Sequence, residues 1–331
     1  RNFWCNVKGI GSWSLTGNAA EALSKKFTEM QDDSEVTAGF MWQKTTRESK
    51  KYQLRGEILS FIPVEKNVEV MLVTITNTGR MAQTVTPTAA IPLYGRSADN
   101  IRDHRHVTSL LHRIETTDTG VLVTPTLSFD ERGHQVNHMT YYCVGWSGNG
   151  EKPVDFYPTA EDFVGEGGNF ERPYAIVKNA EGVKAGTRIE GLEAVGGLHF
   201  SEVTLGPEEE CSYLIFTGIT EDIQEIRNLS KTYTTREMVL EELEKTKAYW
   251  QEKVNVAYHT GDSDFNQFMH WVSFQPILRR IYGCSFLPHH DYGKGGRGWR
   301  DLWQDCLALL IMNPDGVRQM LLDNFAGVRV D

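Results

Sequence analysis

The spacing of apolar residues changes once along the chain, near Asp222, and that change constrains the fold more than any other feature. From about residue 35 to residue 220, short β-branched and aromatic runs are separated by turn residues, the pattern of an antiparallel sandwich. The clearest strand is Val68-Glu-Val-Met-Leu-Val-Thr-Ile-Thr, closed by the turn Asn77-Thr-Gly79 and followed by Ala82-Gln-Thr-Val-Thr-Pro-Thr. Gly120-Val-Leu-Val-Thr, Thr140-Tyr-Tyr-Cys-Val-Gly, Leu198-His-Phe-Ser-Glu-Val-Thr-Leu and Cys211-Ser-Tyr-Leu-Ile-Phe-Thr-Gly continue the series. Beyond Asp222 the spacing becomes helical. Ile223, Ile226 and Leu229, then Met238, Leu240, Leu243, Tyr249 and Trp250, recur among Glu and Lys as a charged linker resting on an apolar surface. Phe265, Phe268, Met269, Val272 and Ile277 mark a further helix, and Trp299 to Met312 and Val317 to Phe325 two more, with Pro314-Asp-Gly between them as a stop and restart.

With 331 residues there is room for two cores. The expected boundaries are a β domain over 1–220, a helical linker over 221–260 and the start of an α domain over 261–331. A net charge of -10 argues against nucleic acid and anionic membranes as partners. The longest apolar runs, such as Leu307 to Met312, fall far short of the roughly 20 residues that cross a bilayer. Five scattered cysteines without a C-x-x-C spacing read as reduced, buried thiols, which predicts a cytoplasmic protein. Arg1 and Asp331 both read as cuts, so a truncated chain is expected.

Functional side chains are densest in His289-His-Asp-Tyr-Gly-Lys-Gly-Gly-Arg-Gly-Trp-Arg-Asp-Leu-Trp-Gln-Asp305, a glycine-rich loop entering a helix. Asp301 and Asp305 share a helical face, as do Trp299 and Trp303, with Arg300 and Gln304 beside them. Carboxylates and amides hydrogen-bond paired hydroxyls, and an indole covers the apolar face of a pyranose, so the group suits a glucose subsite. A local network of Arg300, Asp301 and Asp305 around buried tryptophans fits the same residues and stays open. Gly293-Lys-Gly-Gly-Arg-Gly298 matches G-x-G-x-x-G literally, but nothing strand-like precedes it, so no dinucleotide site is read there.

Two other segments stand out. Tyr94-Gly-Arg-Ser-Ala-Asp-Asn continues to His112 with His104, His106 and Asp103 close together; a polar loop or strand pair is the preferred reading over a metal site. Phe163-Val-Gly-Glu-Gly-Gly-Asn-Phe-Glu-Arg-Pro173 reads as a flexible loop whose polar tip, including Asn169, could cover a neighbouring pocket. The chain has no G-x-S-x-G elbow, Walker A lysine or H-E-x-x-H motif.

Tyr94-Gly-Arg-Ser-Ala-Asp-Asn, Phe163-Val-Gly-Glu-Gly-Gly-Asn and Gly298-Trp-Arg-Asp-Leu-Trp-Gln-Asp305, in this order, resemble the inverting β-glucoside phosphorylases of glycoside hydrolase family 94. Within that family the resemblance points to the 1,2-β-oligoglucan phosphorylases. It implies a galactose-mutarotase-like super-sandwich, a helical linker and an (α/α)6 catalytic barrel, of which only the first helices fall in this chain. It also implies a homodimer in which a sandwich loop, here the Phe163 to Pro173 segment, reaches over the partner's active site. The family's motif places glucosyl-hydroxyl binding on Asp301, supported by Arg300 and Gln304, with Trp299, Asp305 and Asn169 completing the expected substrate contacts. An arginine on the preceding helix contacts phosphate, and Arg280 is the expected one, with Arg279 as the alternative.

The implied reaction is phosphorolysis of β-linked glucans, foremost β-1,2-oligoglucans, to α-glucose 1-phosphate and a shortened glucan. Inorganic phosphate is the co-substrate and no cofactor is expected. The family's general acid lies in a Trp-Asn-Asp type motif that this sequence does not contain, so the acid is expected beyond Asp331 and the chain alone is expected to be inactive. A cellobiose- or cellodextrin-type phosphorylase, a non-catalytic glycan-binding module and an inverting hydrolase with two carboxylates remain as alternatives.

Overall fold

The computed structural model describes residues 1–64, 66–95, 105–130, 133–282 and 299–326. The opening strands are β1 (Asn2–Val7), β2 (Gly11–Ser14), β3 (Asp33–Gly39), β4 (Trp42–Ser49), β5 (Leu54–Phe61), β6 (Val68–Asn77) and β7 (Gln83–Leu93), with α1 (Ala20–Ser24) after β2. After α2 (Arg105–Ser109) come β8 (His112–Thr116), β9 (Gly120–Pro125), β10 (Leu127–Asp130), β11 (Gly133–Val136), β12 (Thr140–Ser147) and β13 (Asp155–Thr159). The short helices α3 (Ala160–Val164) and α4 (Tyr174–Lys178) lead to β14 (Arg188–Glu190), β15 (Ala194–His199), β16 (Val203–Leu205) and β17 (Glu210–Thr220). The helices that follow are α5 (Ile223–Thr232), α6 (Arg236–Lys253), α7 (Ser263–Tyr282), α8 (Trp299–Met312) and α9 (Val317–Phe325).

The sandwich is two antiparallel sheets. One runs β14-β8-β9-β12-β17-β6-β5-β4-β3 and the other β13-β15-β7-β1-β2, with β16 also on β7. Between them lies a core that includes Phe3, Val7, Met71, Val73, Ile75, Leu198 and Ile215. The central strands of the larger sheet are apolar on both faces. Val68, Val70 and Leu72 of β6 join Leu214 and Phe216 of β17 on the opposite side, under Ile226 and Leu229 of α5 and Val239 and Leu243 of α6. This double burial is why β6 reads as a nearly continuous apolar run and not as a strict alternation.

The helical cover is fixed by polar contacts as well. Asp222 caps α5 by accepting from the Gln224 amide at 2.8 Å. The Trp146 indole donates to the Tyr233 carbonyl at 2.8 Å, and the Phe216 ring lies 4.9 Å from Trp146 and 5.3 Å from Tyr233. The linker helix that the sequence pattern predicts thus begins as the lid of the larger sheet.

Three details differ from the sequence reading. Strands begin well before residue 35: β1 pairs with β7 and β2, between the central and the edge strand of the smaller sheet. The run Leu198 to Leu205 is not one strand. β15 and β16 both pair with β7 but are separate, and between them the Phe200 amide donates to the Pro87 carbonyl at 3.0 Å. In the segment between Tyr94 and His112, residues 105–109 are the helix α2, and His104 lies outside the described residues.

The chain forms two compact units, Arg1–Glu244 and Lys245–Asp331, the cut falling within α6. No helix among the described residues is long and apolar enough to cross a membrane. Cys5, Cys143, Cys211 and Cys306 are free thiols, and burial raises the pKa of Cys5, Cys143 and Cys211; Cys284 lies outside the described residues.

A polar knot anchors α1. Glu21 accepts from Lys25 and Lys51 at 2.7 Å on one oxygen and from the Tyr52 hydroxyl at 2.7 Å on the other. Partial burial pushes its carboxyl upward, but these three donors together outweigh that and bring it down to about 2. A depressed carboxylate pKa stabilises the fold above the unfolded value of 4.5 and loses that contribution as pH falls towards 2. Glu21→Gln should therefore be less stable than the parent sequence near neutrality, with the difference closing between those two pH values. The side chain is 39% exposed, so solvent screening keeps the effect small. Denaturant melts of both proteins across that range check it.

Candidate functional site

The second unit carries all of the candidate site residues except Asn169. Asp262 immediately precedes α7, and its carboxylate accepts from the Asp264 and Phe265 amides at 2.9 and 3.0 Å. The helix contains Pro276, which cannot donate to the carbonyl four residues earlier. Its last turn presents Arg279 and Arg280. α8 buries Leu302, Asp305, Cys306, Leu309 and Met312, the three- and four-residue spacing of a helix packed along one face. Its C-terminus is tied by Asn255, which donates to the Met312 carbonyl at 3.0 Å.

One interaction dominates this unit. Arg279 Nε donates to Asp305 Oδ2 at 2.7 Å while its Nη2 donates to Oδ1, a two-pronged pair with side chains 13% and 9% exposed. Both carboxylate oxygens of Asp305 are thereby held by protein. Arg280 points elsewhere: its guanidinium donates to the Asn313 carbonyl at 3.0 Å and to the Asp315 carbonyl, clamping the turn between α8 and α9.

Asp301 lies one turn before Asp305 on the same side of α8, its side chain 19% exposed, with Arg300 Nη2 at 3.3 Å. Arg300 and Gln304 are exposed, and Trp303, 43% exposed, sits 5.5 Å from the Phe325 ring. Trp299 is the first residue of α8. Residues 289–298, the glycine-rich stretch that the sequence singles out, lie outside the described residues. The surroundings of the two aspartates differ: Asp305 is held on both oxygens in a buried ion pair, whereas the Asp301 carboxylate is partly exposed and has acceptor capacity left. Sequence reading grouped both as substrate contacts. Arg279 and Asp305 are 26 residues apart on different helices, so no local spacing signals their pairing.

In the first unit, Asn169 is exposed and its Oδ1 accepts from the Glu171 and Arg172 amides at 3.0 and 2.9 Å. The surrounding segment is anchored, not loose. Thr159 caps α3 at the Asp162 amide, and Phe163, fully buried, packs with Phe170 against Trp4, Tyr157 and Ile176 on the outer face of the smaller sheet. His112 is buried with Nδ1 3.1 Å from the Leu192 carbonyl and Nε2 2.9 Å from the Tyr94 carbonyl, tying down the end of β7; burial lowers its pKa despite those two carbonyls. A cleft of about 500 Å³ also opens in this unit, lined by residues including Ser147, Lys152, Glu202, Glu210 and Tyr213. Its lining includes none of the expected substrate- or phosphate-binding residues.

Residues 12–236 match the supersandwich domain of glycosyl hydrolase 94, two-thirds of the chain and nearly all of the first unit. The chain belongs to glycosyl hydrolase family 94. Among curated proteins it is similar to the cyclic β-(1,2)-glucan synthase NdvB of Rhizobium meliloti (strain 1021), 26% identical over 194 residues, covering 55% of this chain and 6% of that protein. Among solved structures it is similar to a bacterial glucoamylase complexed with acarbose, with a TM-score of 0.50 and 10% identity over 97% of this chain and 43% of the other. At that identity the likeness concerns the fold alone, a β-sandwich followed by helices of the (α/α) type. The chain thus spans a small part of the synthase and under half of the glucoamylase. Membership in glycosyl hydrolase family 94 makes it part of a carbohydrate-active enzyme family.

Proposed function

We propose that this chain belongs to an inverting phosphorylase that cleaves β-linked glucans, β-1,2-oligoglucans foremost, with inorganic phosphate. The observation that carries the reading is the family match over residues 12–236, and the similarity to a cyclic β-(1,2)-glucan synthase supports the linkage. In this reading the chain supplies the sandwich, the linker and part of the donor subsite, and the homodimer brings the Asn169 segment of one subunit to the site of the other. The protein works in the cytoplasm, where phosphate is at hand.

The chemistry follows from charge. Phosphate is already an anionic nucleophile, so the reaction needs a carboxylic acid to protonate the leaving oxygen and no base to activate water. A phosphate oxygen attacks the anomeric carbon from the face opposite the glycosidic bond. The C1–O bond to the glucan breaks, its oxygen takes the acid's proton, and α-glucose 1-phosphate leaves with a shortened glucan. Asp301 binds hydroxyls of the transferred glucosyl unit, with Arg300, Gln304 and Trp299 beside it. Asp305 acts through Arg279, keeping the helix bearing Asp301 in place. Arg280 is the phosphate ligand in this reading, with Arg279 as the alternative; binding phosphate would take Arg280 from the Asn313 and Asp315 carbonyls.

The full-length protein, given sophorooligosaccharides and phosphate, should release glucose 1-phosphate; no phosphate-dependent product from any β-glucan would sink the reading. In the same protein Arg280→Ala should lower kcat/KM for phosphate by about 10- to 100-fold, the worth of one charge-assisted hydrogen bond. The KM for glucan should change little. Equal loss for both substrates would mean that the clamp on the α8–α9 turn is all that Arg280 provides.

A further inference from the structure

The cleft of about 500 Å³ in the first unit takes no part in the proposed reaction. It opens at one end of the sandwich. The turn after β12 and the first residues of β17 come from the larger sheet, and β16 with the residues just before it from the smaller. Its size falls among small-molecule sites, about 300–1,000 Å³, and far exceeds what a bare ion fills. Among its lining residues the Phe200 and Tyr213 rings lie 4.6 Å apart and are buried with the sandwich core, so part of the wall is fixed by packing.

The charges around the cleft decide what can enter. Glu151, Glu202, Glu209 and Glu210 line it beside a single cationic lining residue, Lys152, which is itself paired with Asp118. That balance repels phosphates and other anions. Three of the four carboxylates are already engaged: Glu202 with Lys8 at 3.3 Å, Glu210 with Arg236 at 3.1 Å, and Glu209 with the Gly206 amide at 2.7 Å. The one carboxylate left is too few for a hard cation, which takes about six oxygens or more.

What remains is hydrogen-bonding capacity of both kinds. The Asn149 carboxamide, the Ser201 hydroxyl and the Glu151 carboxylate have no hydrogen-bond partner among the described residues. Ser147 is the buried member, 8% exposed. Its Oγ accepts from the Asn149 and Glu151 amides at 3.3 and 3.0 Å, and its own proton has no acceptor among the described residues. One turn of chain therefore offers a donor from Ser147, a donor and an acceptor from Asn149, and an acceptor from Glu151. Each sugar hydroxyl both donates and accepts, so neighbouring hydroxyls on a pyranose call for such a mixture.

We propose that this cleft binds a short neutral oligosaccharide, as a glycan contact additional to the helix bearing Asp301. The inference stands whether phosphate or water attacks the glycosidic bond, and membership in a carbohydrate-active family accords with it. Because the ligand is uncharged, its affinity is insensitive to salt.

The test is amide NMR of the ¹⁵N-labelled chain titrated with sophorotriose, cellotriose and laminaritriose, without phosphate. At least one of the three should shift the Asn149, Glu151, Ser201 and Ser212 signals saturably at millimolar sugar, equally at low and high salt. The same shifts should persist in Asp301→Asn, which separates this cleft from the proposed donor subsite. Asn149→Ala combined with Glu151→Ala, both exposed positions, should weaken the binding about tenfold or more and leave the remaining signals in place. Ser201→Arg, also at an exposed position, should block the cleft. No saturable shift at the cleft with any of the three sugars, saturable shifts there with calcium alone, sugar binding that salt abolishes, or full affinity in both variants would each overturn the proposal.

Discussion

Asp301→Asn in the full-length protein should reduce kcat/KM for glucan phosphorolysis by about 100- to 10,000-fold, the loss of two charge-assisted hydrogen bonds to ligand hydroxyls. The protein should stay folded. Asp301 is partly exposed, its described partner is the neighbouring Arg300 on the surface, and it lies in the first turn of α8. A carboxylate there contributes about 0.3–1 kcal/mol through the helix dipole, which sets the stability change expected on neutralising it. Steady-state kinetics beside a denaturant melt separate the two effects. A variant that loses activity only in proportion to its stability would leave Asp301 as a helix-capping residue.

The opposite outcome is expected one turn later. Asp305→Ala removes the carboxylate that holds Arg279 and leaves a buried guanidinium without its counter-ion, which costs about 3–5 kcal/mol. The second unit should then unfold at much lower urea. Replacing both partners, as in Arg279→Met with Asp305→Leu, should recover most of the loss, because a pair removed together leaves no uncompensated charge. Near-additivity of the two single changes in that double-mutant cycle would show that the pair is not coupled.

These two aspartates show what the sequence does and does not make legible. A spacing of four on one helix put Asp301 and Asp305 on a common face, and that is how they stand on α8. Their different surroundings were hidden, because the distinction comes from Arg279 on another helix, and tertiary pairing leaves no mark on local spacing.

The same holds for the sandwich. β6 and β17 were readable because helices cover one face and the smaller sheet the other, making their middles, Val70 to Val73 and Tyr213 to Phe216, apolar on both faces. The first strand was overlooked although Phe3, Cys5 and Val7 alternate into the core, since its partner β7 lies some eighty residues away. The split between β15 and β16 was equally invisible: both halves follow β7, so their residues keep a strand-like composition across the interruption. The loop around Asn169 read as flexible from its glycines, and Phe163 and Phe170 anchor its ends in a small core.

The central claim is that phosphate, not water, attacks the glycosidic bond. It is tested most directly by proton NMR of the full-length protein acting on sophorooligosaccharides, following the anomeric signals of the first products with and without phosphate. The account predicts α-glucose 1-phosphate as the first product, with no turnover when phosphate is left out. Free glucose released equally well without phosphate would identify a hydrolase and contradict it.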